Sequence, residues 1–219
     1  MSIHLQREID KLKRDLLLIC SIVEEQVQKA VRALFDRDPQ LAREVEAMDD
    51  EVDRREIDLE EECLKTLALH QPVAINLRQL IAALKINHDL ERIGDMAVNI
   101  ARKAAALAGE PAVEIPADFA DMGEQTQAML RKSLDALVQM DAALARDVCA
   151  CDDQVDQLKR TIRNQIERQL RADPERVGSM LRLLSVSRNL ERIADYAVNI
   201  AEDVIYLVDG RIVRHQADT

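Results

Sequence analysis

The chain has 219 residues, 41 acidic and 30 basic side chains, a formal charge of −11 and 47% hydrophobic residues, enough for one large domain or two small ones rather than a disordered acidic tail. With no Trp, two Tyr, two Phe, five Gly and five Pro, it lacks the aromatic residues and turn formers that sheets use, so long helices are expected and all-β or doubly wound α/β folds are not. The excess of Asp and Glu also argues against a nucleic-acid binder, which must neutralise phosphates with clustered Lys and Arg.

The first helix is expected over residues 4–34. It contains the longest apolar run, Leu16 to Val23 with Ser21 inside it, far short of the roughly 20 residues that span a bilayer, and no signal pattern precedes it. A cytoplasmic protein with no direct membrane insertion is the expectation. Asp38-Pro39 places a capping carboxylate before a proline at the first helical position, where the missing N–H is harmless, and starts a second helix over 40–69. Gln71-Pro72 breaks the chain ahead of a third helix over 73–107. The stretch GEPAVEIP from Gly109 to Pro116 is the only Gly/Pro-rich segment of any length and reads as a linker over 109–116. A fourth helix follows over 117–139, a fifth over 142–171 capped by Asp141, and a sixth over 174–208 opened by Asp173-Pro174, with a tail over 209–219. Most of these helices are about 45 Å long at 1.5 Å per residue. They suit an all-α fold of two tandem three-helix bundles, residues 1–108 and 117–208. Of the four cysteines, Cys20, Cys63, Cys149 and Cys151, none shows CxxC spacing and three fall on apolar stripes, so reduced core thiols are expected.

The two halves are one unit written twice. NHDLERIGDMAVNIA, from Asn87 to Ala101, matches SRNLERIADYAVNIA, from Ser187 to Ala201, at ten of fifteen positions with an offset of 100. Upstream, MDDEVD from Met48 to Asp53 matches CDDQVD from Cys151 to Asp156 at an offset of 103, so the turn between the two matches differs by three residues.

On the third helix an apolar stripe runs through Ala83, Ile86, Leu90, Ile93, Ala97 and Ile100. A second stripe begins with Leu77, Ile81 and Leu84 and continues on the same face as His88, Glu91, Asp95 and Asn99. The sixth helix repeats it with Val177, Leu181, Leu184, Arg188, Glu191, Asp195 and Asn199. The second helix adds Asp49 and Asp53, and the fifth adds Asp152 and Asp156, so each half presents two carboxylate pairs at i, i+4 spacing on neighbouring helices. A solvated acidic face would account for such pairs. Two features favour more: Glu56 and Glu60 align with Lys159 and Arg163, reversing the charge, while all four acidic pairs are kept, and carboxylates crowded near apolar surface are pushed towards protonation unless a cation sits among them. A metal would supply that cation, and all-oxygen ligands suit hard ions better than structural zinc. Arg92 and Arg192 could instead neutralise Asp95 and Asp195 through i, i+3 contacts.

The segment HQPVAINLRQLIAALKINHDLERIGDMAVNIA, His70 to Ala101, with its second LERIAD run, resembles the signature region of the PhoU family, and the likeness covers nearly the whole chain. The resemblance implies a cytoplasmic, non-enzymatic negative regulator of phosphate uptake and of the phosphate regulon, acting by contact with the ATPase of the phosphate ABC transporter and with a sensor histidine kinase. It also allows a homodimer. Metal clusters of iron, manganese, magnesium or zinc are implied through E/D-x-x-x-D motifs, which carry over to Asp49, Asp53, Glu91 and Asp95 and to Asp152, Asp156, Glu191 and Asp195. His88 departs from its aligned Arg188 and takes no ligand role. Gly94 and Ala194 share a position that reads as close helix packing, and a partner contact using Arg78 is not expected in the second half, where RADPERVGSM replaces the QPVAxxLR segment. Two other classes compete: a helical adaptor with structural metal or none, and a carboxylate-bridged metalloenzyme. Di-iron bundles use Glu-x-x-His, and no Glu here has a His three residues later.

Overall fold

Aspartate caps set the starts of two of the helices. In the computed structural model, which describes residues 3–211 and 213, α1 spans Ile3–Asp36 and α2 Pro39–His70. Asp38 adopts extended backbone, and its carboxylate accepts from the amides of Gln40 at 2.7 Å and Leu41 at 3.4 Å, two of the donors that a helix start leaves without partners. Gln71 ends α2 in the left-handed region, and α3 runs over Ala74–Ala108. After the linker, α4 spans Asp118–Gln139. Asp141 caps α5, Ala142–Cys149, through the amides of Ala143 and Leu144 at 2.8 and 3.1 Å.

The fifth expected helix is divided. α5 stops at Cys149 and α6 begins at Asp152, ending at Ala172. The backbone between them stays in the right-handed region but tightens to i, i+3 bonds, Cys151 N to Val148 O at 3.0 Å and Gln154 N to Cys151 O at 3.2 Å. Asp173-Pro174 also differs from the expectation. It opens a 3₁₀ turn over Pro174–Arg176, and α7 follows over Val177–Asp209. The Asp173 carboxylate makes no cap; it pairs with Arg176 Nε at 2.8 Å. Of the tail, only residues 209–211 and 213 lie among the described residues.

Burial repeats with the sequence. Ala42, Val45, Val52 and Leu59 of α2 are buried, as are Ala145, Val148, Val155 and Ile162 of α5 and α6, at an offset of 103. The same offset takes Leu16, Ile19, Val27 and Leu34 of α1 onto Phe119, Met122, Leu130 and Leu137 of α4. From α3 to α7 the offset is 100, Leu90, Ile93, Ala97 and Ile100 against Leu190, Ile193, Ala197 and Ile200. The three-residue difference therefore falls in the turn after α2.

α1, α2 and α3 pack on one another, α4 to α7 do likewise, and α3 against α7 is the main contact between the halves. These two central helices run antiparallel: near the start of α3, Arg78 lies over the Tyr206 ring near the end of α7, 5.5 Å from its centroid. Lys85 pairs with the buried Asp203 at 3.2 Å. At the opposite end, just past α3, Glu110 receives Ser179 Oγ at 2.6 Å and Arg182 Nη1 at 2.9 Å. Arg78, whose segment has no counterpart in the second half, is thus engaged with α7. No helix among the described residues is long and apolar enough to cross a membrane.

Gly210 ends α7 at φ 72°, and a Cβ added there would stand 2.7 Å from Arg78 Nη1. Gly210→Ala is therefore expected to destabilise the protein by about 1–2 kcal/mol through the left-handed backbone alone, with further loss as Arg78 is displaced. Gly109→Ala, with ordinary φ and its nearest contact at 3.7 Å, should be close to neutral. Urea unfolding midpoints of the two variants provide the comparison.

Candidate metal centre

The register of α2 against α3 is pinned by a buried amide: Asn87 Nδ2 donates to Glu56 O at 2.9 Å. In this antiparallel register, residues descending α2 meet residues ascending α3. Asp49 and Asp53 therefore lie level with Asp95 and Glu91. Residues four apart on each helix share a face about 6 Å apart, so the four carboxylates line one groove.

Asp49 is the most supported of them. Gln26 of α1, fully buried, donates its Nε2 to Asp49 Oδ1 at 3.3 Å and to Val45 O at 3.4 Å, while its own Oε1 has no hydrogen-bond partner. Gly94 makes room for this arrangement, since a Cβ there would stand 3.1 Å from Gln26 Oε1 and 3.4 Å from Asp49 Oδ1. Its small size thus serves the carboxylate as well as helix packing. Burial raises the Asp49 carboxyl above its ordinary value, and Asp53 and Asp95 add to this, against the Gln26 hydrogen bond and the Arg102 charge. Glu91 is raised by burial first, then by Asp95 and Glu56, with Arg92 and His88 opposing. Its Oε2 is buried without a hydrogen bond, although Arg92 Nε stands 3.4 Å away. Arg92 Nη1 also reaches Asp95 Oδ2 at 3.5 Å, the expected i, i+3 contact. Asp53, Glu56, Ile57, His88, Glu91 and Arg92 line a shallow cleft of about 330 Å³ between the two helices.

The second repeat assembles the same acids. Asp195 is pushed up to about 6, by burial first and then by Glu191, Asp152 and Asp156, with Lys159 opposing. Asp152 is raised by burial and by Asp156, Asp153 and Glu191. It sits in the first turn of α6, where the helix dipole favours negative charge. Lys159 Nζ meets Glu191 Oε1 at 2.5 Å, and Arg160 Nη2 stands 3.5 Å from Asp156 Oδ2. Arg192 does not contribute to Asp195 as Arg92 does to Asp95.

Each set of four is therefore gathered on one face and electrostatically coupled, but no group of three or more His, Cys, Asp or Glu among the described residues stands arranged to hold an ion. The acids share a groove; a coordination shell would require their side chains to turn inward. All four cysteines are free thiols. Burial pushes Cys20 and Cys63 up to about 12 and Cys149 to about 11, which leaves them protonated and unreactive. Gln26 and Lys159 escaped the motif reading. Gln26 was detectable as an amide on an otherwise apolar stripe with Ile19, Val23 and Ala30, and Lys159 as the charge reversal of Glu56.

The PhoU domain model matches residues 16–104 and again 119–204. A phosphate-specific transport system accessory protein PhoU homolog of Pseudomonas aeruginosa is 40% identical over 211 residues, covering 95% of this chain and 86% of that protein. Its namesake in Aquifex aeolicus is 38% identical over 210 residues, covering 96% and 95%. Among solved structures, PhoU from Pseudomonas aeruginosa superposes with a TM-score of 0.90 at 39% identity over 94% of this chain and 99% of that one. The phosphate transport system regulatory protein PhoU from Streptococcus pneumoniae gives 0.87 at 29% identity over 95% and 99%.

The carboxyls predict a pH effect of definite sign. A carboxyl whose pKa is higher folded than unfolded holds its proton more tightly in the native state. Its stabilising contribution is full below the unfolded value and is lost as pH rises through the folded one. For Asp195 that window runs from 3.8 to about 6. In metal-free protein, Asp195→Asn should raise stability at pH 7 by about 1 kcal/mol, after discounting for the solvent exposure of the group. The gain should vanish towards pH 4, as urea titrations at a series of pH values in the presence of chelator would record.

Proposed function

The chain belongs to the PhoU family, and from that premise we propose that it is a cytoplasmic accessory protein of a phosphate-transport system. It restrains uptake and phosphate-regulon signalling when phosphate is plentiful. Its relatives are named as accessory proteins, and it is an accessory protein rather than an enzyme. It acts by contact with the ATPase of the phosphate ABC transporter and with the sensor histidine kinase. The observation that carries this reading is the duplicated acidic groove. Both domain matches include it, with the second-helix and third-helix acids of each repeat inside the matched spans, and it crowds half-buried carboxylates where a catalytic constellation would need complementary acids and bases.

Carboxylate-bound metal belongs to the same reading, with Asp49, Asp53, Glu91 and Asp95 in one repeat and Asp152, Asp156, Glu191 and Asp195 in the other as the groups that would hold it. The donor set fits a hard ion: every ligand is oxygen, burial and mutual repulsion disfavour the bare carboxylates, and Glu91 Oε2 is buried without a hydrogen bond. A bound ion would supply positive charge to this face and make its ordering depend on metal. The runner-up, a helical adaptor with structural metal or none, shares the fold and differs only here.

With a formal charge of −11, encounter with protein partners is steered by charge more than affinity is set by it. Capture from cells grown in high phosphate should recover the transporter ATPase and the sensor kinase, more weakly as salt rises. Binding to DNA at physiological salt with neither partner recovered would overturn the regulatory reading. Chelation should lower the melting temperature by several degrees, since an ion that binds only the native state stabilises by mass action. A melting temperature indifferent to chelator and to added Mn²⁺, Fe³⁺ or Mg²⁺, with no metal in elemental analysis, would leave the adaptor.

A further inference from the structure

The repeats keep their acids but reverse the charge around them. Glu56 and Lys159 occupy one position at the 103 offset, Ile57 aligns with Arg160, and His88 with Arg188 at the 100 offset. At the six positions that line the first cleft, three acids, Asp53, Glu56 and Glu91, face one arginine, Arg92. At the six equivalent positions of the second repeat, two acids, Asp156 and Glu191, are accompanied by four cations, Lys159, Arg160, Arg188 and Arg192. In the second repeat one of these cations is already in place: the Lys159 ammonium meets Glu191 Oε1 at 2.5 Å, with the two side chains 34% and 18% exposed. A pair this sheltered is screened far less than a surface pair. In the first repeat the matching residue adds a carboxylate, Glu91 Oε2 is left without a hydrogen bond, and the fully buried Gln26 amide is aimed at Asp49 with its carbonyl oxygen unpartnered. Met129 stands at the Gln26 position in the second repeat and can donate nothing.

We infer that the two repeats answer their carboxylates differently: the first recruits an external hard cation, with Glu56 joining Asp49, Asp53, Glu91 and Asp95 around it, whereas the second uses Lys159 as its own built-in cation. The chain accordingly binds metal in one repeat, not two. The inference rests on the reading of the acidic grooves as metal sites and narrows it. An ion entering the second groove must expel an ammonium from a short, half-buried pair, and it meets Arg160 beside Asp156. An ion entering the first groove relieves repulsion and displaces only the long contacts of Arg92.

The test uses the full-length protein, stripped with chelator and equilibrated with Mn²⁺ alone, with bound ion counted by elemental analysis after dialysis and its environment followed by electron paramagnetic resonance. Glu91→Gln with Asp95→Asn should abolish Mn²⁺ binding, while Glu191→Gln with Asp195→Asn leaves the bound amount unchanged. Glu56→Lys should weaken binding about tenfold or more, the effect of bringing one positive charge within a few ångström of the site. Lys159→Glu should create a second set of bound ions, and Lys159→Met, which removes the charge at similar volume, should create it more weakly and serves if the glutamate variant misfolds. Loss of about half the Mn²⁺ in the Glu191/Asp195 variant would overturn this inference and leave the metal reading standing. Absence of Mn²⁺ from the wild type would overturn both.

Discussion

Like charges held between packed helices must be answered by opposite charge, by protonation or by water, and the middle of this molecule is organised around that demand. α2 and α3 meet along a groove that is apolar on its inner side, through Val45, Val52, Leu90 and Ile93, and acidic on its outer side. Three-residue and four-residue spacings put both stripes on the same helices, so neither can move without the other. Burial of the inner stripe draws the helices together, and that approach is what brings Asp49 and Asp53 beside Asp95 and Glu91. The hydrophobic effect thus pays for a charge concentration that electrostatics alone would disperse.

The antiparallel packing of α3 on α7 places both acid-bearing central helices at the junction of the halves. Arg78 and Lys85 hold one end of that junction against Tyr206 and Asp203, and Glu110 holds the other against Ser179 and Arg182. These contacts are polar and lie at the ends, while Leu90, Ile93, Leu190 and Ile193 fill the middle of the core. Such an arrangement fixes the alignment of the two helices and therefore the heights of the two acidic sets. The apolar starts of the second stripes, Leu77 and Ile81 on α3 and Val177 and Leu181 on α7, stay exposed. They lie towards the helix ends, beyond the reach of the packing that shelters Leu84 and Leu184.

Much of this was legible in the sequence, for identifiable reasons. Asp38 and Asp141 could be read as caps because an aspartate at a helix start has one favourable partner set, the free amides behind it. Asp173 looked the same and was not, because Arg176 lies three residues on and takes its carboxylate, a competition that residue spacing does not rank. The division of α5 from α6 was hidden for a related reason: Ala150 and Cys151 carry no breaker, and the change is only from i, i+4 to i, i+3 bonding. The acidic pairs were visible because duplication keeps them while neighbours change. The pairing of Lys159 with Glu191 was not, since it spans 32 residues and depends on the register of α6 against α7. Nor could spacing show that Gly94 and Gln26, 68 residues apart in the chain, are one device.

That device also bears on why the repeats diverged. A glycine inside a helix is about 1 kcal/mol less favourable than alanine, and a buried amide oxygen left without a partner costs about 1–3 kcal/mol. The first repeat carries both at one point, Gly94 and Gln26 Oε1, directly behind Asp49. The second repeat carries neither, with Ala194 and Met129 in the same places, both buried and apolar. A bundle shaped for stability alone would take the second solution twice. Local rules are most often broken where a site must be held in a particular geometry, and here the break coincides with the groove whose own cation, Arg92, makes only long contacts of 3.4 and 3.5 Å. The repeat that gave up packing to orient a carboxylate is the one with no lysine seated among its acids, whereas the repeat with an ordinary core has Lys159 paired with Glu191 while Asp195 beside it stays raised.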